Sequence, residues 1–270
     1  MICFYMHVVK SSGDKEKFSP KKIYKTVLDA GGSKKLANNA VKEIKKMYRE
    51  NISTSEILNF LIKLLKQEPG VSQRYDLKRA IMSLGPDGFI FEQFFARLLD
   101  YYGYKTTTDN KLKGKRIIEE VDIVAVKDKK WMIECKYHNE PGIITKLHPA
   151  LYTYARFLDL QGYNFDAPWL VTNTKCSWDA VEYAKGVNLR ITGWKYPATE
   201  GLQDLIMKKN LYPVTILKSV SNEILNRLYS AKIVIARDLL EIPLNELSRR
   251  TGIDQKTISK MIEEVKEICF

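Results

Sequence analysis

The stretch 118–138, IEEVDIVAVKDKKWMIECKYH, constrains everything around it. An apolar run carrying Asp122 leads into Lys127, Asp128, Lys129 and Lys130, and a second apolar run then presents Glu134 and Lys136, separated by one residue. Two such runs joined by a charged turn read as a β-hairpin. Side chains alternate faces along a strand and cross-strand partners share a face. Asp122 and Glu134 therefore share a site only if they pair or nearly pair, which demands an odd-length loop centred on Asp128. A two-residue turn at Asp128-Lys129 would pair Ile123 with Glu134 and turn Asp122 away, and there is no Asn-Gly or Asp-Gly to force it. Val121, Ile123, Ile133 and Cys135 make the opposite face apolar, and an unpaired charge at Glu134, mid-run, is expensive to bury. Two carboxylates in this arrangement suit a hard divalent cation. The neighbouring lysine can orient a water and steady the charge that develops on an attacked phosphodiester. A plain charged surface hairpin is the competing reading of this stretch alone.

Charge adds a partner class. With 44 Lys and Arg against 32 Asp and Glu, the net charge is +12, which favours a polyanion through counterion release; a lysine-rich surface kept for solubility is the alternative. Cys3, Cys135, Cys176 and Cys269 are far apart with no CxxC pair, so neither a zinc site nor a disulfide framework is indicated and a reducing cytoplasm is expected. No apolar stretch approaches a membrane span, and MICFYM lacks the pattern of a signal peptide.

Before the hairpin, residues 6–13 read as a strand entering a turn at Ser11-Ser12-Gly13-Asp14. Ser19-Pro20 starts a helix that Gly31-Gly32 ends. A second helix follows, Ser53 to Glu56 is a capping box opening a third, and a fourth runs from about Ser72 to Leu84. Together, Val8 to Lys10, Phe18 to Ile23, Ala30-Gly31, Ile52 to Ile57 and Tyr75 to Leu84 resemble the ATP-cone domain over residues 5–85. The resemblance implies an adenine nucleotide, ATP or dATP, as effector, with phosphates near Lys10, Lys21, Lys22 and Arg79. Where that family often has Lys-Arg-Asp-Gly, this chain has Lys10-Ser11-Ser12-Gly13. No Walker-type loop is present, so binding without hydrolysis is expected.

Gly85-Pro86-Asp87-Gly88 marks a boundary. A helix follows with Phe91, Phe94, Phe95, Leu98, Leu99 and Tyr102 on one stripe and Glu92 at its border. Gly103 ends it, and Tyr104 to Thr107 reads as a strand. After the hairpin come a helix at 150–160, a buried strand at 168–172, a helix from Trp178 to Ala184 and a strand near Val187 to Ile191, the alternation of an α/β layer. The ordered motifs Gly88 to Tyr104, Glu120 to Ala125, Ile133 to Tyr137, LVTN and WDAVEYA resemble the PD-(D/E)xK nuclease superfamily in its Mrr-type restriction-endonuclease branch. That likeness implies Asp122 and Glu134 as metal ligands for Mg²⁺ or Mn²⁺, Lys136 as catalytic lysine and Glu92 as an auxiliary catalytic acid. Many Mrr-type members carry a glutamine on the next helix; here there is none between Ala150 and Leu160, and His148 or Tyr152 is the stand-in. His138 reads as a bystander.

From Tyr212 the pattern becomes all-helical, with helices over 221–229, 231–240, 243–250 and 254–268. The join Arg249-Arg250-Thr251-Gly252-Ile253-Asp254 resembles a helix-hairpin-helix of the SAM-like type, which implies DNA phosphate contacts from Arg249, Arg250, Gly252, Lys256 and Lys260; a packing or dimerisation module competes. The expected architecture is a multidomain α+β chain: a small, mostly helical ATP-cone (1–85), a central α/β restriction-endonuclease-like domain with a mixed sheet (86–211) and an all-α C-terminal domain (212–270). The expected function is a Mg²⁺-dependent DNA endonuclease, with a homodimer the form that would bring two sites to two strands; the alternatives are a catalytically silent, nucleotide-responsive DNA-binding or regulatory protein and an ATP-sensing regulator that binds RNA or represses transcription through the C-terminal helices.

Overall fold

The structure, a computed structural model, describes residues 6–10, 13–86 and 88–270; Cys3, Ser11, Ser12 and Asp87 of the readings above lie outside the described residues. Strands β1 (His7–Val9) and β2 (Lys15–Lys17) form an antiparallel pair. Helix α1 (Pro20–Asp29) starts where Ser19 Oγ accepts the Lys22 amide at 3.3 Å and Pro20 needs no amide partner. Gly31, at φ +78°, turns the chain out of it. Helix α2 (Lys34–Met47) follows. Helix α3 (Thr54–Leu65) opens on the reciprocal Ser53–Glu56 capping box.

The helix expected over 72–84 is two, α4 (Val71–Tyr75) and α5 (Leu77–Met82), broken at Asp76. The break has a packing reason. Val71 belongs to the core shared with Val27, Ile44 and Leu61, whereas Leu77, Ala80, Ile81 and Leu84 belong to a second core that extends to the C-terminal helices. Two short helices aim their apolar faces at two different partners.

Helix α6 (Phe89–Tyr101) carries the aromatic stripe, with Phe91, Phe94 and Phe95 fully buried. The central sheet has the order β3 (Lys105–Lys113), β4 (Ile118–Val126), β5 (Lys130–Lys136), β7 (Ala167–Thr172), β9 (Arg190–Thr192). It is mixed: β3, β4 and β5 run antiparallel, β5, β7 and β9 parallel. The parallel half needs crossovers. These are α7 (Leu147–Asp159), reached through the short strand β6 (Ile144–Thr145), and α8 (Trp178–Gly186), reached through β8 (Lys175–Cys176), which pairs with β6. Strand β3 is longer than expected, and β9 lies a few residues later. Helix α9 (Leu202–Lys208) was not foreseen.

The C-terminal helices are α10 (Asn222–Ser230), α11 (Asp238–Glu241), α12 (Leu244–Thr251) and α13 (Gln255–Cys269). The expected helix over 231–240 is confined to α11. Lys232 sits at φ +58°, and Ile235 bridges Pro213 as a strand would. Ile233, Val234 and Ile235 are buried whichever way they point, and β-branched residues favour extended backbone. Asp238, almost fully buried, accepts two bonds from Arg97 (3.1 and 2.8 Å to Oδ1) and one from the Tyr101 hydroxyl (2.7 Å), tying α11 to α6. Arg74 donates to Ala30 O (2.7 Å) and Ile268 O (2.9 Å), tying α4 to both the end of α1 and the end of α13. The molecule is thus a multidomain α+β protein with a small, mostly helical N-terminal unit, a central α/β unit and an all-α C-terminal unit. Among the described residues no helix is long and apolar enough to cross a membrane.

Candidate active site

Strand β4 meets β5 with Val126 opposite Lys130, Ala125 opposite Trp131, Val124 opposite Met132 and Ile123 opposite Ile133. The register is centred on Asp128, and the loop is the odd-length one, closed by a Lys127 amide bond to Lys129 O at 3.1 Å. Had the ladder run one pair further, Asp122 would face Glu134. It stops at Ile123. On the other side, the β3 ladder skips the position of Asp122, where Asp109 is left-handed at φ +56°. Freed from both neighbours at that point, the Asp122 carboxylate bends across the gap, and its Oδ2 accepts the Cys135 amide at 2.6 Å. A side chain thus replaces a ladder bond where β4 and β5 part.

Behind this split, Ile123, Ile133 and Cys135 pack with Phe95, Trp169 and Val171 in the core under α6. In front of it stands α7. Glu134 is buried to 6% exposure. Its Oε1 accepts the Tyr152 hydroxyl and its Oε2 accepts Arg156 Nη1, while Arg156 Nε donates to Glu119 at 3.0 Å. Tyr152 and Arg156 are one helical turn apart, so α7 presents both to the same carboxylate. Lys136, the next residue on Glu134's face, is exposed.

The electrostatics follow from burial. Desolvation holds Asp122 above the usual carboxylate range, although the Cys135 amide and the Arg156 charge pull it down. Burial, then the Asp122 charge, raises Glu134 further, outweighing Arg156, Tyr152 and Lys136. Burial, then the Asp122, Glu92 and Glu134 charges, raises the Cys135 thiol. The charges of all three carboxylates therefore reach one residue of β5. Glu92 reaches it from the first turn of α6, its side chain folded back against Gly88, beside Tyr137.

Among the described residues no group of three or more His, Cys, Asp and Glu side chains is gathered as a metal site. The donor set is instead two carboxylates that press on each other electrostatically, all oxygen. It fits a hard divalent cation such as Mg²⁺, which keeps several waters and takes one or two carboxylates.

Of the sequence expectations, Asp122, Glu134 and Lys136 come together at this split, and Glu92 is linked to it through the influence of its charge on Cys135. His148 makes no part of the Glu134 cluster; Tyr152 does. His138 hydrogen-bonds Thr145 of a buried threonine group at 3.2 Å, and Asn173 brackets its backbone at 2.7 and 2.9 Å. Arg156 and Glu119 were missed; their only signal was the four-residue spacing of Arg156 from Tyr152.

Three family models match the chain: an ATP cone domain over 6–80, a restriction endonuclease (Mrr-type catalytic) domain over 85–198 and the C-terminal domain of AF1548-like proteins over 212–269. An uncharacterised protein of Archaeoglobus fulgidus is 42% identical over 174 residues, 64% of this chain and 98% of that protein. The crystal structure of the protein of unknown function AF1548 superposes with TM-score 0.61 at 40% identity, covering 68% of this chain and 98% of its own. The chain belongs to the AF1548-like family, and its residues 85–198 match the restriction-endonuclease model. In this member an ATP cone precedes the restriction-endonuclease-like domain.

The expected nucleotide and DNA contacts are distributed less simply. In the cone, a cavity of about 250 Å³ is lined by Phe18, Ser19, Lys22, Thr26, Ile57 and Tyr75, among others. Lys22 lines it, and Lys10 pairs with Glu16 of its wall at 2.7 Å. Lys21 is exposed beside it in sequence, whereas Arg79 is directed elsewhere, bonding Asn59 at 3.0 Å and Asp76 at 3.3 Å. At the C-terminal hairpin, the Gly252 amide is spent on Ser248 O (2.8 Å) and the Ile253 amide on Thr251 Oγ1 (3.2 Å). Arg250 donates to Ala231 O at 2.9 Å, and Arg227 takes the Gly252 carbonyl at 2.7 Å. The turn is satisfied internally, so an amide cradle for phosphate is not formed there; Arg249, Lys256 and Lys260 are exposed.

Proposed function

We propose that this protein is a divalent-metal-dependent DNA endonuclease whose activity responds to an adenine nucleotide, ATP or dATP, in its cone. The observation that supports this reading is the split of β4 from β5, where Asp122, Glu134 and Lys136 share one strand face within electrostatic reach of each other. Asp122 and Glu134 would hold Mg²⁺ or Mn²⁺, which supplies a polarised phosphate and a more acidic water. Asp122 is held in place by the Cys135 amide and Glu134 by the Tyr152 hydroxyl, so neither carboxylate needs to reorganise far. Lys136, exposed at the strand end, meets the substrate phosphate and steadies the charge that grows on it. The basic surface draws DNA toward the site. In this reading residues 1–85 sense the nucleotide, with α5 packed into the core of the cutting unit (86–211), and 212–270 brace that unit and contribute Arg249, Lys256 and Lys260 to the DNA-facing charge.

The test uses plasmid, branched and single-stranded DNA with Mg²⁺ or Mn²⁺. Lys136→Ala is expected to lower cleavage about 10²–10³-fold, the usual loss of one preorganised electrostatic group, while DNA binding persists with a salt slope smaller by about one phosphate contact. Equal nicking by both proteins overturns the assignment. Binding without cleavage by the unmodified protein would favour the silent, regulatory alternative.

A further inference from the structure

Arg156 supplies a positive charge to Glu134, one of the two carboxylates that would hold a metal. Its guanidinium lies between two carboxylates, Nη1 on Glu134 and Nε on Glu119, and the cation sits over the Tyr152 ring at 5.1 Å. All three charged side chains are largely buried, with side-chain exposures of 17%, 8% and 15% for Arg156, Glu134 and Glu119. With Tyr152 on Oε1 and Arg156 on Oε2, both oxygens of Glu134 are engaged.

From this geometry we infer that Arg156 is an exchangeable internal counter-ion. It occupies Glu134 when no divalent cation is bound and yields Oε2 when one is. Glu119 gives the guanidinium a second anchor, so Arg156 stays at the site instead of swinging into solvent. An arginine released from one carboxylate and still held by another keeps donors for a phosphate oxygen, which its planar fork suits. Ion binding and phosphate binding are thereby coupled through one side chain: each new anion offered to Arg156 makes Glu134 more available. This inference rests on the metal-dependent reading of the same site.

The experiment is Mn²⁺ titration by calorimetry and by the Mn²⁺ electron paramagnetic resonance signal, without DNA, on the full chain. Arg156→Gln is expected to bind Mn²⁺ about tenfold more tightly, the size of one charge-assisted hydrogen bond no longer displaced. Arg156→Lys keeps the charge and is expected to stay within about threefold of the parent, a difference below 1 kcal/mol. Glu119→Gln removes the second anchor, concentrates the guanidinium on Glu134 and is expected to weaken Mn²⁺ binding. These opposite signs separate exchange from a structural role, because a disrupted α7 would weaken binding in every variant. Equal or weaker Mn²⁺ binding by Arg156→Gln overturns the inference. Asp122→Ala is the control for the underlying reading: if it leaves Mn²⁺ binding unchanged, the ion is not at this site and both the inference and the metal-site reading fall.

Discussion

The clamp at Asp238 sets how firmly the helix bearing Glu92 is held. Asp238 is buried and acidic, and three donor bonds from Arg97 and Tyr101 compensate it. Arg97→Ala removes the cation and leaves the carboxylate with the tyrosine alone. Breaking a buried pair from one side costs about 3–5 kcal/mol. Arg97 is 38% exposed and Tyr101 remains, so the lower end applies, about 3 kcal/mol. Tyr101→Phe forfeits one hydrogen bond to a charged group, about 1.5 kcal/mol. Leu84, Phe95, Leu239 and Met261 share one continuous core, so α6 and the C-terminal helices are expected to melt together. Scanning calorimetry should then find that transition lowered by roughly 6–12 °C for Arg97→Ala, and by less for Tyr101→Phe. A double-mutant cycle of Arg97→Ala with Asp238→Ala should give a coupling well above 1 kcal/mol, the range for residues in direct contact. If Arg97→Ala changes stability by less than about 0.5 kcal/mol, the effect of an ordinary surface substitution, the clamp is not holding the two units and the reasoning fails.

Further outcomes follow from individual contacts. Glu134 is raised in the fold, so the folded protein holds a proton there that the unfolded chain has released. In chelator, thermal stability should therefore fall as pH rises above the ordinary carboxylate range, and Glu134→Gln should flatten that fall. Lys78 has the opposite sign. Burial pushes it down to about 8, so the unfolded chain binds the extra proton and stability should climb between about pH 8 and the ordinary lysine value; a melt series on Lys78→Met should lack the climb. Gly70 is left-handed at φ +69°, and a Cβ there would lie 2.2 Å from Glu267 O, so Gly70→Ala should destabilise by roughly 2 kcal/mol or more and free the end of α13 to a carboxypeptidase. ATP or dATP titrated calorimetrically should bind more weakly to Thr26→Leu, which fills the cone cavity, and equally to Arg79→Ala, whose side chain points away from it.

The hairpin register was legible because a period-two pattern and a missing Asn-Gly leave few choices, and one slip would have buried the wrong face. The capping box and the Ser19-Pro20 start were legible because they are local. What escaped depends on contacts far along the chain. Arg156 and Glu119 look like ordinary charges on amphipathic elements; only the fold brings 119, 134 and 156 together. The β-branched run Ile233 to Ile235 already favours extended backbone, but the left-handed turn at Lys232 and the bridge of Ile235 to Pro213, which set it so, cannot be read from the sequence. The break at Asp76 is likewise invisible until two separate cores claim the two halves. At the C-terminal hairpin the motif suggested free amides, and hydrogen bonds inside the turn had already used them.

The division of α4 from α5 bears on how this protein is taken apart in the laboratory. Met82, in α5, receives the Tyr137 hydroxyl at 2.6 Å, and Lys78 donates to the Asn173 carbonyl. Leu77, Ala80, Ile81 and Leu84 are bricks of the central wall. A fragment starting at residue 86 would therefore expose a hydrophobic trench and cut the tether next to Lys136. Inactivity in such a fragment would report a damaged strand end, not a lost nucleotide signal. A cut between Tyr75 and Leu77, at the hinge where the two cores change hands, removes the helical cone up to α4 and leaves α5 in the wall.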